Sequence, residues 1–302
     1  MYDIIIIGAG PAGLTAALYA GRANKSVLII EKGSFGGQIT YSPKVENIPG
    51  FLSVTGNEFA DKLVEQVLAQ GAEIECAEVL SIKETETHKT VLTDDGGAFD
   101  ARAVIVATGA KHRLLGLDKE TDFIGEGISF CAVCDGAFYE GKTVAVIGGG
   151  NSALQEAILL SDLAKKVYVV QNLDFLTGEK KMVDQLDTKS NVEVITGTTV
   201  KALLGDKEFQ GITLYKTATG EETDLPLDGM FVAIGLVPQN EPFENLITLD
   251  ERGYVASDER CLTNASGIFV AGDCRTKRIR QVSTAIADGA VAALAACDYL
   301  DA

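Results

Sequence analysis

MYDIIIIGAGPAGLTAALYAGRANKSVLIIEK, residues 1–32, decides the fold. The β-branched run Ile4–Ile7 predicts a buried strand, and it meets Gly8, Gly10 and Gly13. An Ala/Leu-rich stretch then predicts a helix to about Ala23. A second apolar run, Val27–Ile30, ends on Glu31. Strand, tight turn, helix and strand in that order, with an acid at the end of the second strand, form the dinucleotide-binding fingerprint. Gly8 makes the turn, Gly10 lets a pyrophosphate approach the backbone, and Gly13 lets the helix pack closely on the strand. The helix N-terminus offers free N–H groups and a positive dipole end to phosphate. Glu31 is placed to accept from the hydroxyls of a ribose. A glycine pattern alone is weak evidence; the flanking strand, helix and acid make it specific.

The unit occurs twice. Residues 143–181 read TVAVIGGGNSALQEAILLSDLAKKVYVVQNLDFLTGEKK, and an offset of 140 carries Gly8 to Gly148, Gly10 to Gly150, Gly13 to Ala153 and Glu31 to Gln171. Both units therefore share one spacing from first glycine to strand end. The second keeps the turn and lacks what reads the ligand, having neither an acid for a ribose nor an arginine for a phosphate. Further apolar runs ending in glycine predict strands at 103–110, 230–238 and 267–274. Residues 81–100 and 196–227 predict β-meanders. Residues 282–300 predict a final helix, broken or kinked near Gly289. Polar or proline-bearing crossings near 112–118 and 238–245 are expected hinges. Two nucleotide-type βαβ units in 302 residues imply an α/β protein with two Rossmann-like, three-layer domains, one of flavin type and one of pyridine-nucleotide type.

Composition narrows the partners. The net charge of −17 argues against nucleic acid and against an anionic membrane surface. No apolar run approaches a membrane span. The N-terminus has no basic leader region, so a cytoplasmic location is expected. Six cysteines are too sparse for a disulfide scaffold in a chain of this length.

Only Cys131 and Cys134, in CAVCD, are paired in sequence. A redox disulfide, a zinc half-site and an inert buried pair are the candidates. Zinc wants four ligands, usually from a second paired motif, and there is none, so no metal is expected. The redox reading is favoured. Asp135 is then the acid–base candidate for a leaving thiolate, set against a bland role in capping the next turn.

Taken in order, GAGPAG, FGGQ (35–38), ENIPG (46–50), ATGA (107–110), CAVCD, GGGNSA (148–153), AIGLVP and AGDC resemble the low-molecular-weight thioredoxin reductases over nearly the whole chain. The CxxCD placed just before a second glycine turn is the specific element. The resemblance implies a homodimer with FAD in each subunit. It implies a discontinuous FAD-binding domain (1–113 and 242–302) with an inserted central domain (116–240) carrying the CxxC. Gly8, Gly10, Gly13 and Glu31 would hold the ADP half of FAD, and Gln38 and Asn47 would contact the flavin side. Thr108 and Gly109 would pass near the cofactor. Gly272 and Asp273, in AGDC, would bind the ribityl–pyrophosphate region, and Arg280 with Gln281 would approach the isoalloxazine. Cys134 would face the flavin and Cys131 would exchange with thioredoxin.

The chain departs from that family at one place. Members using NADPH carry a histidine and arginines where this chain has Gln171, Asn172 and Leu173, with another arginine near Thr177. A 2′-phosphate wants guanidinium partners, each charge-assisted bond contributing roughly 1.5–3 kcal/mol. The resemblance thus narrows to ferredoxin-dependent flavin thioredoxin reductases. The segment CRTKRIRQ places Arg275, Lys277, Arg278 and Arg280 together. If exposed, it would steer acidic ferredoxin; otherwise it is a solvated loop with one flavin-contacting arginine. The alternatives are an NADH-dependent (less readily NADPH-dependent) thioredoxin reductase, a dithiol oxidase, and a flavin-binding redox sensor.

Overall fold

A computed structural model describes residues 1–42 and 44–302. The first βαβ unit forms as its sequence dictates: β1 (Tyr2–Ile7), α1 (Pro11–Arg22) and β2 (Val27–Glu31). Then come α2 (Gly56–Leu68), β3 (Glu73–Cys76), β4 (Val79–Glu84), β5 (Lys89–Thr93), β6 (Ala98–Val106) and β7 (Ala110–His112). The middle of the chain holds β8 (Ile128–Ser129), α3 (Ala132–Asp135), β9 (Thr143–Ile147), α4 (Asn151–Ser161) and β10 (Lys166–Val170). It continues with α5 (Lys180–Asp187), β11 (Val192–Ile195), β12 (Thr198–Leu204), β13 (Gly211–Lys216), β14 (Glu221–Pro226) and β15 (Gly229–Val232). The last elements are β16 (Leu236–Pro238), β17 (Ile268–Val270) and α6 (Val282–Asp301).

The chain divides into two compact units, 1–111 with 237–302, and 112–236. In the first, the sheet runs β3-β2-β1-β6-β5-β4, with β17 also on β6. The strands β3, β2, β1, β6 and β17 pair in parallel, whereas β4, β5 and β6 form the antiparallel meander expected from residues 81–100. Ile4 and Ile6 pack with α1 and α6, and Ile5 and Ile7 pack into a second cluster with Phe243 and Val255, so the β1 run is buried on both faces.

In the second unit a parallel sheet runs β11-β10-β9-β15-β8, and β12-β13-β14 make the second antiparallel meander. The offset of 140 persists into register: Ile7 pairs with Ile30 and Ile147 with Val170. Gly8 N–H donates to Ile30 O at 2.9 Å, and Gly148 N–H to Val170 O at 2.9 Å.

Two expectations are corrected. Helix α6 runs unbroken through Gly289. That glycine is needed for close approach, since a Cβ there would lie 2.2 Å from Ala12 O on α1. By length and composition α6 could cross a membrane, at a mean hydropathy of 1.2, which no single apolar run in the sequence suggested. Here it packs along α1 and buries Asp288. Finally, residues 112–113 cluster with the second unit, and residues 237–240, expected in the central domain, cluster with the first. Fully buried Asn240 holds them there: its Nδ2 donates to Gly253 O (2.8 Å) and Cys274 O (2.9 Å), and its Oδ1 accepts from Thr108 Oγ1 (3.0 Å).

Candidate active site

The first glycine turn is built for a ligand. Gly8 adopts φ +108°, and a Cβ there would sit 2.4 Å from Ala107 O; at Gly13 it would sit 1.9 Å from Gly8 O. Both glycines are therefore packing requirements. Gly10 differs, because a Cβ there would meet nothing within 4 Å. It caps α1 without a side-chain bond, leaving N–H groups open to an anion. Glu31 is fixed at the rim: Oε2 accepts from Ala9 N–H and Oε1 from Gly33 N–H, each at 2.7 Å. Beside it lies a cavity of about 160 Å³ lined by Gly8, Glu31, Ala77, Val79, Thr108 and Phe243, among others.

A second group of expected residues gathers around the turn 272–281. Gly272, at φ +84°, donates its N–H to Asp288 Oδ2 at 3.0 Å. Asp273 Oδ1 is enclosed with no partner, and burial raises the Asp273 pKa. Asn47 Nδ2 donates to Gln281 Oε1 at 3.3 Å, and Gln38 Nε2 donates to Ala110 O. Gly109 stands at φ +69° with open space around it. Arg280 lies over the Tyr254 ring, 4.2 Å from its centroid, and donates to the Asp273, Arg275 and Lys277 carbonyls.

The exposed basic segment does not form. Arg275 is 2% exposed, and its Nη2 and Nε donate to the two oxygens of Asp288 at 2.8 and 2.9 Å. Lys277 Nζ donates to Asp288 Oδ2 at 2.8 Å. Of the four cations only Arg278 lies fully exposed. Sequence counted the charges and could not see the acid on α6 that neutralises two of them. Asp288 and Asn240 are the positioning residues that sequence reasoning missed, and a buried polar type within an apolar helix was the one available signal for Asp288.

In the second unit Cys131 and Cys134 are joined by a disulfide. Cys76, Cys261, Cys274 and Cys297 are free thiols, the last three buried. Cys131 caps α3, its Sγ accepting from Cys134 N–H at 3.2 Å. Ser129 bridges the motif: its hydroxyl donates to Asp135 Oδ2 at 2.6 Å and accepts from Cys131 N–H at 3.1 Å. The other Asp135 oxygen is enclosed without a partner, and burial raises the Asp135 pKa despite the Ser129 bond. Asp135 thus holds its proton more tightly than an ordinary carboxyl, as a proton donor to a thiolate requires. Among the described residues no group of three or more His, Cys, Asp or Glu is arranged to hold a metal.

The second glycine turn keeps the geometry of the first with a neutral side chain as its reader; a Cβ on Gly150 would meet only Thr177 Oγ1, at 3.7 Å. Gln171 is 5% exposed, and its side-chain amide carbon and nitrogen lie 2.6 Å from where a Gly149 Cβ would be. Its Nε2 donates to Phe175 O at 3.4 Å. Gly149 O accepts from Thr177 N–H (2.8 Å) and Gly178 N–H (2.9 Å), so the loop after β10 folds back over the turn. Asn151, at the start of α4, exchanges two bonds with Glu179. Asn172, Leu173 and Phe175 are exposed.

The profile of the pyridine nucleotide-disulphide oxidoreductases matches residues 2–289. The chain belongs to that family. Thioredoxin reductase from Listeria monocytogenes is 42% identical over all 302 residues, covering 94% of its own length. A 34.2 kDa protein of the rubredoxin operon of Clostridium pasteurianum is 41% identical over 299 residues, covering 99% of this chain and 97% of its own. The crystal structure of thioredoxin reductase from Streptococcus pyogenes superimposes with a TM-score of 0.94 at 40% identity, covering 100% of this chain and 98% of that one. The family and these relatives make the chain an FAD-binding flavoprotein. Its first unit fits the group: the open space at Gly10, the cavity beside Glu31 and the unpartnered Asp273 oxygen are what an ADP moiety and a ribityl chain would occupy.

Proposed function

We propose that the chain is a thioredoxin-disulfide reductase that takes its electrons from reduced ferredoxin rather than from a nicotinamide coenzyme. The observation that carries the donor assignment is Gln171, a buried neutral amide lying over Gly149 where a ribose reader would stand. Asp174 and Glu179 on the same loop are acids, and Asn172 and Leu173 bring no positive charge. A coenzyme 2′-phosphate would therefore meet neutral side chains and the Asp174 carboxylate where it wants cations. Losing two charge-assisted bonds costs roughly two to four decades of affinity.

The residues divide the work as follows. Gly8, Gly10, Gly13 and Glu31 hold the adenosine and pyrophosphate of FAD, with Thr108 and Gly109 passing alongside. Gly272 and Asp273 hold its ribityl side, and Gln38, Asn47, Arg280 and Gln281 line the ring. FAD supplies the two-electron store. Cys134 receives electrons as the S–S bond opens, and Cys131 becomes the thiolate that attacks the thioredoxin disulfide. Asp135 delivers the proton. Val133, between the two cysteines and 63% exposed, offers an apolar contact to a protein substrate. The working unit is a homodimer, a reading that rests on the resemblance to thioredoxin reductases.

Anaerobic thioredoxin reduction with photoreduced ferredoxin, beside NADH and NADPH controls, tests the donor. Turnover with ferredoxin and none with either nicotinamide is the expected result; fast flavin bleaching by NADH or NADPH overturns it. NADH is the second reading. The Gln171 bond to Phe175 is long at 3.4 Å, so the amide is free to turn toward a ribose hydroxyl at small cost.

A further inference from the structure

Behind the disulfide lies a second acid that the reaction outlined above does not use. Glu156 stands on α4, against which the CxxC helix α3 and the turn 136–139 pack; a Cβ on Gly136 would already lie 3.3 Å from Leu160 Cδ2. Glu156 accepts from Ala132 N–H, the amide that follows Cys131. The residue as a whole is half-buried, yet its Oε2 is inaccessible and without a partner, as is Asp135 Oδ1. Two orphaned carboxyl oxygens at one four-residue helix are costly as anions and much less so when protonated.

We infer that Glu156 and Asp135 act as a coupled carboxyl pair behind the Cys131–Cys134 disulfide, Asp135 giving its proton to sulfur while Glu156 stays neutral and spares the new thiolate a second anion. The inference rests on the reductase reading only in taking this disulfide as the reacting bond. Burial is the main cause that lifts Glu156 to about 8; the Ala132 N–H bond opposes it and the Asp135 charge adds to it. Tyr139, on the turn after α3, is pushed up to about 12 by burial and by Asp135, and Lys142 Nζ lies 5.3 Å from the centre of its ring. The strands β9 and β10 and helix α5 bring apolar side chains to this core, among them Val144, Val169 and Leu186.

The chemistry balances. Two electrons from a dithiol or a reduced flavin enter the S–S bond, which breaks to leave negative charge on both sulfurs. Asp135 gives its proton to one sulfur, leaving one thiol and one thiolate. Asp135 regains a proton from water, and Glu156 keeps its own. A neutral Glu156 spares the new thiolate a neighbouring anion, and an ionised Glu156 raises the thiol pKa.

The test is the pH profile, from 5 to 10, of Cys131 alkylation by iodoacetamide in the dithiothreitol-reduced holoprotein, resolved by mass spectrometry. The intact protein is expected to show an inflection near pH 8 in addition to the thiol titration. Glu156→Gln keeps an acceptor for Ala132 N–H. It should lose that inflection, matching the parent at pH 6 and alkylating several-fold faster at pH 9. Asp135→Asn should move the inflection to lower pH. An inflection unchanged in Glu156→Gln overturns the inference. So do Glu156→Gln and Glu156→Ala curves displaced equally with no change of shape, the mark of a merely structural residue. Failure of thioredoxin reduction with every donor would sink the reductase reading and leave this titration to decide the pair on its own.

Discussion

At the scale of single residues, buried acids separate structural from chemical roles. Asp288 is an acid whose burial is offset: burial raises its pKa, but the bonds from Arg275 and Lys277 outweigh that and hold it below the usual carboxylate range. Its contribution to stability is therefore present above about pH 4 and lost as pH falls through the depressed folded value. Asp288→Asn leaves two buried cations with a neutral partner and should cost on the order of 3 kcal/mol in denaturant unfolding at pH 7. It should also weaken FAD retention on gel filtration, because Gly272 N–H is bonded to the same carboxylate. Glu156 has the opposite sign. The folded chain keeps its proton to about pH 8 and the unfolded chain loses it near 4.5, so stability falls as pH rises between those values. Glu156→Gln should melt with the parent at pH 4 and above it at pH 8. Equal melting temperatures at pH 8 would mean that the carboxyl is solvated after all.

At the scale of elements, the two βαβ units were legible because glycine spacing and apolar runs are local signals. What the sequence did not disclose was contact between distant segments. Gly289 looked like a helix breaker because helix propensity penalises glycine, yet the helix runs through it, since only a glycine lets Ala12 O approach. Gly289→Ala would raise propensity in isolation. In the folded chain it should destabilise by about 1–3 kcal/mol, as overpacking does, and thermal melting of the holoprotein measures the balance. The run of basic residues at 275–280 failed for the same reason. Charge was counted along the chain, while the neutralising carboxylate sits on α6, and the Arg280 guanidinium is spent on backbone carbonyls. The CxxCD was legible as redox chemistry, but Ser129 and Glu156 were not: Ser129 meets Asp135 only once the local turn from β8 closes, and Glu156 lies behind the motif only after α3 packs on α4.

At the scale of the whole molecule, one chain carries two copies of a nucleotide fold with different fates. In the first, the strand-end acid grips the turn through backbone N–H groups and leaves open space at Gly10. In the second, the loop closes on Gly149 O just as Gly36 N–H closes on Ala9 O in the first, and the difference is the reader, an amide bonded to Phe175 O in place of the acid. The glycine at 148 would survive loss of a ligand, because a Cβ there would lie 2.5 Å from Ala233 O, so the fold itself demands it. The specificity should then be restorable at the reader alone. Installing Gln171→His with Asn172→Arg and Leu173→Arg removes the amide from the turn and supplies two guanidinium groups to a 2′-phosphate. Two charge-assisted bonds correspond to roughly two to four decades of affinity, so the triple variant should gain NADPH-driven flavin bleaching by at least about a hundredfold in anaerobic stopped-flow mixing. Its gain with NADH should be far smaller, since that coenzyme lacks the phosphate. The ferredoxin-supported rate should hold, because none of the three positions lies in the FAD-binding unit or at the CxxC helix. A parent protein already bleached by NADPH as fast as the variant would show that the turn is in use despite Gln171, and the donor assignment would fall with it.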